Sequence, residues 1–539
     1  MRPVKVLACL LPDLALVVAC VTLVYCLFLF QGYRKLFRDS DAGWHIRTGE
    51  AILATGELPR TDPYSFTRGG QPWFAWEWMA DIAAGAVDRA AGLSGVALFY
   101  ATAIAAGVWL WFRLHWALDG NFLLACAMAP LLLSTCNIHW LARPHILSWL
   151  FLLAALLHAE RARPPFRLRH AVEIAIFTAL WANIHASFFF APLIALLYIW
   201  RGPVRWFLWA ALISAIAPLA NPYGWHLYAH VFRYLTDSEL LSRIGEFQSF
   251  DFHAPGSWPI IATLLVAVAG GTLALLGSAK TWGLTDVSQG ARSLSPNDVP
   301  SHRRVDASVS PRVFAPLRNT SASLYEKCGP GSRPEHFVLA MLLAAMALRS
   351  ARALPLVALL VLPLANAAIT ATLRRAAVLD GFLTYSARLR AIDARFSGLA
   401  LVPLVLLACF ALLRTPAIQA ATGFPPDQFP VEAYSQIARL PAGARLFAPD
   451  KFGGYLIYRS QGARKVFFDG RSDLYGADFL KQYARMVQLR PGWREYWDSF
   501  HFTHALVPND YSLIPALEQL GWTLVYHDQT VTLLKWGML

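Results

Sequence analysis

Asp39-Ser40-Asp41, with His45 four places further on, packs more potential chemistry into a few residues than any other stretch of this chain. Two carboxylates two residues apart can ligate a divalent cation such as Mg or Mn, or one of them can act as a general base. In a helix starting at Ala42, Asp41 and His45 fall one turn apart on one face. Asp39, Asp41 and His45 are therefore candidate catalytic residues, and Asp39 and Asp41 are also candidate metal ligands. A plainer role fits the same residues, because Asp and Ser are favoured helix caps that stabilise by about 1 kcal/mol. Arg143, Arg349 and Arg352 are fixed positive charges suited to a phosphate. His185 and Glu246 complete the candidate binding set. Here too the bland alternatives stand. Arg143, next to Pro144, could open a helix and snorkel to lipid headgroups. Asn183, in "WANIHAS", could bond between helices. "NPYG", from Asn221, reads as a turn. The aromatics Trp44, Tyr64, Phe66, Trp73, Phe74, Trp76 and Trp78 suit either a sugar platform or a belt at the lipid headgroups.

The elements that hold these residues are set by composition. The 539-residue chain has 15% charged residues and a mean hydropathy of +0.42. Soluble domains carry about 25% charge, so the expectation is a membrane protein. The net charge of +13 comes mostly from arginines between apolar runs, where they orient helices, and calls for no nucleic acid. Most of the seven cysteines lie in apolar runs. They form neither a disulfide framework nor a zinc spacing and read as small apolar fillers.

Apolar runs recur from Leu7–Phe30 to Phe396–Leu413 and make about eleven transmembrane spans. The reading is mainly α, a polytopic helix bundle followed by a small α/β domain. A first transmembrane helix occupies 1–30, and a large extracytoplasmic loop bearing the Asp-x-Asp occupies 31–88. Transmembrane helices follow at 89–279 and 334–421, separated by a polar, disordered cytoplasmic loop at 280–333. An extracytoplasmic α/β domain closes the chain at 422–539. With the N-terminus in the cytoplasm, Arg161, Arg163, Arg167, Arg169, Arg201, Arg205 and the arginines from Arg374 to Arg395 also fall there, as the positive-inside rule requires. The candidate site residues then gather on the other face, around a polar cavity roofed by the first loop. In the last domain "ARLFAP" and "RKVFFDG" read as strands. "PALEQLG" reads as a helix, and "WTLVYHDQTVTLLKW" as a hairpin turning at His527-Asp528.

"DSDAGWHIRTGEAILATGELPRTDPYSFT", "WFAWEW", "WANIHASF", "NPYGW", "FGGYLIYR" and "FFDGRSDLYG" give the chain a resemblance to the GT-C glycosyltransferase superfamily. That superfamily includes oligosaccharyltransferase catalytic subunits, protein O-mannosyltransferases and lipid A aminoarabinose transferases. More narrowly, the chain resembles a group of bacterial polytopic membrane proteins with the same first-loop Asp-x-Asp and C-terminal domain. The resemblance implies an enzyme of the bacterial inner membrane that uses a polyprenyl-phosphate-linked sugar donor among membrane lipids. It would transfer the sugar, with inversion, to an extracytoplasmic glycolipid, polysaccharide or protein. Asp39 or Asp41 would be base or metal ligand, and Arg143 or Arg352 would stabilise the departing phosphate. The second acid that many such enzymes place in a later outside loop has no clear counterpart; Glu246 and Asp62 are candidates. A transporter or flippase of a sugar-lipid or anionic substrate is the alternative from another class. It calls for broken helices at mid-membrane, often with repeat symmetry, and the chain shows no repeat. A catalytically silent relative in envelope assembly is the third possibility.

Overall fold

The computed structural model describes residues 9–276, 333–376, 379–419 and 421–537. Apart from Arg333, the polar segment expected at 280–333 lies outside the described residues, as does the start of the first apolar run. Among the described residues the chain is mainly helical with one small sheet.

Helix α1 is Leu14–Phe28, opened by Asp13, whose side chain accepts the N–H of Leu16. Helix α2 is Asp41–Thr55, so it starts one residue before Ala42, with Asp41 inside its first turn. It stops at Gly56, which takes a left-handed φ of 72° that costs glycine little. Helix α3 runs from Trp78 to Ala117 with a break at Gly92 (φ 65°). The apolar run at Leu93 marks only its second limb. The first limb is Ala-rich and helix-favouring without being apolar throughout, so the boundary expected near Asp88 falls inside a helix.

Then come α4 (Phe122–Asn137), α5 (His145–Arg161), α6 (Leu168–Ile184), α7 (Phe190–Leu197), α8 (Val204–Ile216) and α9 (Trp225–Thr236). They are followed by α10 (Trp258–Leu276), α11 (Pro334–Arg349), α12 (Leu362–Arg375), α13 (Asp380–Asp393) and α14 (Val402–Leu413). Three helices among the described residues are long and apolar enough to cross a membrane: Trp78–Ala117, Trp258–Leu276 and Ala351–Arg375.

The bundle has two polar ends. Helix α5 carries Arg143 and Pro144 just before its start and Glu160 near its finish, about 24 Å away at 1.5 Å per residue. At the far end Glu160 is gripped by His336 Nε2 (2.7 Å), Tyr198 OH (2.7 Å) and Arg201 (2.6 Å). Arg333 adds a contact at 3.3 Å. The candidate site residues lie at the near end.

The C-terminal domain contains α15 (Asp450–Arg459), α16 (Ser472–Val487) and α17 (Leu513–Gln519). Its strands are β1 (Leu446–Phe447), β2 (His504–Pro508), β3 (Trp522–His527) and β4 (Val531–Trp536), in sheet order β1-β2-β4-β3. Strands β1 and β2 are parallel and the rest antiparallel. The expected hairpin is β3–β4, and "PALEQLG" supplies α17. "RKVFFDG" is not a strand of this sheet, because its backbone is taken by the first loop. Val466 N–H donates to Tyr64 O (2.9 Å), Phe66 N–H to Val466 O (3.0 Å), and Thr67 Oγ1 to Phe467 O (2.7 Å).

Helix α2, which carries Asp41 and His45, is wedged between α3 and α15 by glycines. A Cβ on Gly49 would overlap the backbone carbonyl of Asp81, and one on Gly43 would overlap that of Gly454. Backbone thus lies directly on backbone on both sides of the helix.

Candidate active site

A cavity of about 600 Å³ opens at the near end of the bundle. Its polar wall includes Asp41, His45, Glu77, Arg143, Glu246 and Arg352. The apolar side chains of Trp149, Leu152, Phe190 and Leu356 also line it. His185 and Arg349 also reach the cavity, and Asp39 joins through Arg143. Residues far apart in the chain are thus gathered in one place.

Arg143 is the focus. Its Nη1 lies 2.6 Å from Asp39 Oδ2 and 2.9 Å from Glu246 Oε1, and its Nη2 lies 3.0 Å from Asp41 Oδ2. Arg352 reaches the other oxygen of Glu246 at 3.4 Å. Three carboxylates facing two guanidiniums leave an excess negative charge. Burial, with Asp39 and Glu246 nearby, raises the Asp41 carboxyl to about 7 despite Arg143. Burial works against the charge on Glu246 too, but Arg143 and Arg352 outweigh it and hold this carboxyl well below its usual range. The capping role is only partly present. Ser40, at the cap position, makes no side-chain cap bond, whereas Asp39 Oδ1 accepts the Asp41 N–H at 2.9 Å.

A second cluster adjoins the first. His45 Nδ1 lies 2.6 Å from Asp81 Oδ1, and its Nε2 lies 3.6 Å from Glu77 Oε2. The other oxygen of Glu77 is 3.5 Å from His185 Nε2, and His185 Nδ1 is 2.9 Å from Ser187 Oγ. Burial first, then Arg143, His185 and His145, hold His45 well below the usual imidazole range. Burial also raises Glu77 to about 8 and lowers His185 to about 3, so these imidazoles are neutral near pH 7. Glu77 and Asp81 were not singled out from the sequence. Asp81 falls in the first turn of α3, where acids are ordinarily explained by the helix dipole. The available signal was their four-residue spacing, within hydrogen-bond reach of the neighbouring helix.

Arg349 stands apart from the other cations. It is exposed at the cavity, and its guanidinium makes no ion pair or hydrogen bond with any described residue. Asn183 bonds between elements, accepting Trp78 Nε1–H (2.7 Å) and donating to Ala220 O (3.0 Å). Asn221 closes the "NPYG" turn on Pro218 O and Gly224 O. From the C-terminal domain, Gly470 lies against the carboxylate of Asp41. Arg471 is locked between Asp469 (2.7 Å) and Asp62 (2.8 Å). Asp62 is therefore paired to Arg471, whereas Asp473, at the end of "FFDGRSD", lies 3.2 Å from His230 Nε2 and lines the cavity.

Asp39, Asp41 and Glu246 offer the hard oxygens that Mg or Mn takes. In this arrangement the guanidinium of Arg143 fills the point on which they converge. Among the described residues no group of three or more His, Cys, Asp or Glu is arranged to hold a metal ion.

No protein-family model matches the chain, and no curated protein does. Among solved structures, the chain is similar to the Archaeoglobus fulgidus oligosaccharyltransferase crystallised in the apo form, at 13% identity and a TM-score of 0.47. The match covers 92% of this chain and 69% of that one.

Proposed function

We propose that this protein is a GT-C-like membrane glycosyltransferase, with about eleven spans in an inner membrane and its cavity facing outside. It takes a sugar from a polyprenyl-phosphate-linked donor and passes it to an extracytoplasmic glycolipid, polysaccharide or protein. The observation that carries this reading is the cavity at the near end of the bundle, lined by an arginine without an ion pair among the described residues, by buried carboxylates and imidazoles, and by apolar side chains. That arrangement matches a ligand that is lipid at one end, phosphate in the middle and polyhydroxylated at the other.

The acceptor oxygen attacks the anomeric carbon, and the bond from that carbon to the phosphate oxygen breaks with inversion. Arg349 and Arg352 hold the phosphate as it gains charge. Arg143, already shared by three carboxylates, fixes those carboxylates as acceptors for sugar and acceptor hydroxyls. A divalent cation enters this proposal only in exchange for the Arg143 guanidinium.

The test is transfer by the purified protein in nanodiscs from labelled polyprenyl-phosphate sugars, with and without chelator. Transfer is expected, together with its loss in Asp39→Asn/Asp41→Asn and a marked drop in Arg349→Ala. No transfer from any common donor overturns the reading. Abolition by chelator shows that a divalent cation is required for transfer.

A further inference from the structure

His45 is held through Nδ1 by Asp81 at 2.6 Å, while its Nε2 stands 3.6 Å from Glu77, beyond hydrogen-bond distance. Asp81 is 0% exposed. Its Oδ2 has no hydrogen-bond partner, so the side chain of this buried acid is committed to His45. The Trp44 indole stacks on the imidazole with centroids 3.6 Å apart, which limits rotation of the ring. The glycine contact between Gly49 and the backbone of Asp81 fixes the distance between the two helices. Asp39 and Asp41, by contrast, each turn a carboxylate oxygen to the Arg143 guanidinium, at 2.6 and 3.0 Å, so those lone pairs are already occupied. An imidazole whose Nδ1–H is given to a buried carboxylate presents a bare Nε2.

We propose that Asp81 is a positioning residue for His45. It accepts the Nδ1–H, fixes the tautomer with Nε2 unprotonated, and so makes His45 the group that takes the acceptor's proton. This rests on the transferase reading. As the acceptor oxygen bonds to the anomeric carbon, its proton passes to His45 Nε2. The electron pair of the broken carbon–oxygen bond leaves on the lipid phosphate. The imidazolium is balanced by Asp81, and its proton is released once the product has gone. Glu77, Arg143, His145 and His185 are the other titratable or charged groups facing His45.

The test is ¹⁵N-histidine NMR of the protein in nanodiscs, with His45→Gln identifying the His45 signal, combined with kinetics. The wild type should carry the proton on Nδ1. In Asp81→Asn the carboxamide can donate, so the proton should move to Nε2. Its kcat should then fall about 10²–10⁴-fold, with donor KM and thermal stability little changed. Asp81→Glu should restore part of the rate. Three results overturn the proposal: a wild-type Nε2–H tautomer (Asp81 then carrying the proton), an Asp81→Asn enzyme with normal kcat, or a rate loss without a tautomer change. A wild type inert with every donor would instead defeat the transferase reading and the proton transfer together, whereas the tautomer alone judges the Asp81–His45 pairing.

Discussion

The most consequential residue in the cavity is Arg143, because one guanidinium serves three acids from two distant segments. The types were legible in the sequence: an arginine beside a proline, two aspartates after an apolar run, a glutamate in a later loop. Their gathering around one cavity was expected from sidedness, but the direct pairing of Arg143 with all three acids was not, since ion pairs between distant segments leave no mark on local spacing. Glu77 shows the other limit, as a lone acid among tryptophans whose burial only the fold creates. That burial has a measurable cost. Glu77 titrates near 8 rather than 4.5, and Asp41 near 7 rather than 3.8. As pH rises above those ordinary values, the unfolded chain ionises first, so stability declines until the folded pKa values are passed. Glu77→Gln should therefore stabilise the protein by about 1–2 kcal/mol at pH 8 and by little at pH 4.5. Thermal unfolding at the two pH values checks this, and an equal shift at both would refute it.

At the scale of elements, glycine pairs decide where the chemistry sits. Gly49 of α2 rests on the Asp81 carbonyl of α3, and Gly85 of α3 rests on the backbone of Gly49 and Glu50. Gly49→Ala should cost about 1–3 kcal/mol by overpacking and should disturb the His45–Asp81 bond. Gly381→Ala, on α13 with nothing within 4 Å of its Cβ position, should instead stabilise by about 0.5–1 kcal/mol. Thermal melts of the two variants give opposite signs if the helix contact is as described. Hydropathy located the buried helices well, because a run of apolar residues is sufficient to mark one. It missed the first limb of α3 and the true pairing of "RKVFFDG". The former is amphipathic, and the latter satisfies its backbone on a loop four hundred positions away, between Thr67 and Phe467.

At the scale of the molecule, the first loop and the C-terminal domain touch through Gly43–Gly454, Ser65–Val466 and Asp62–Arg471, so the proposed membrane topology requires them on one side. The Glu160 cluster marks the opposite end. In a cysteine-free background, Thr55→Cys and Ser499→Cys, both exposed, should react together with an impermeant maleimide on intact cells. Arg163→Cys, also exposed, should react only after permeabilisation; the reverse pattern would invert the orientation. The closeness of Gly470 to Asp41 carries this contact into the chemistry. If that turn lifted, solvent would reach Asp41 and restore ordinary acidity to its carboxyl. The C-terminal domain thus sits as a stopper against Asp41, and any ligand that displaced it would change the proton inventory of the chamber by arriving.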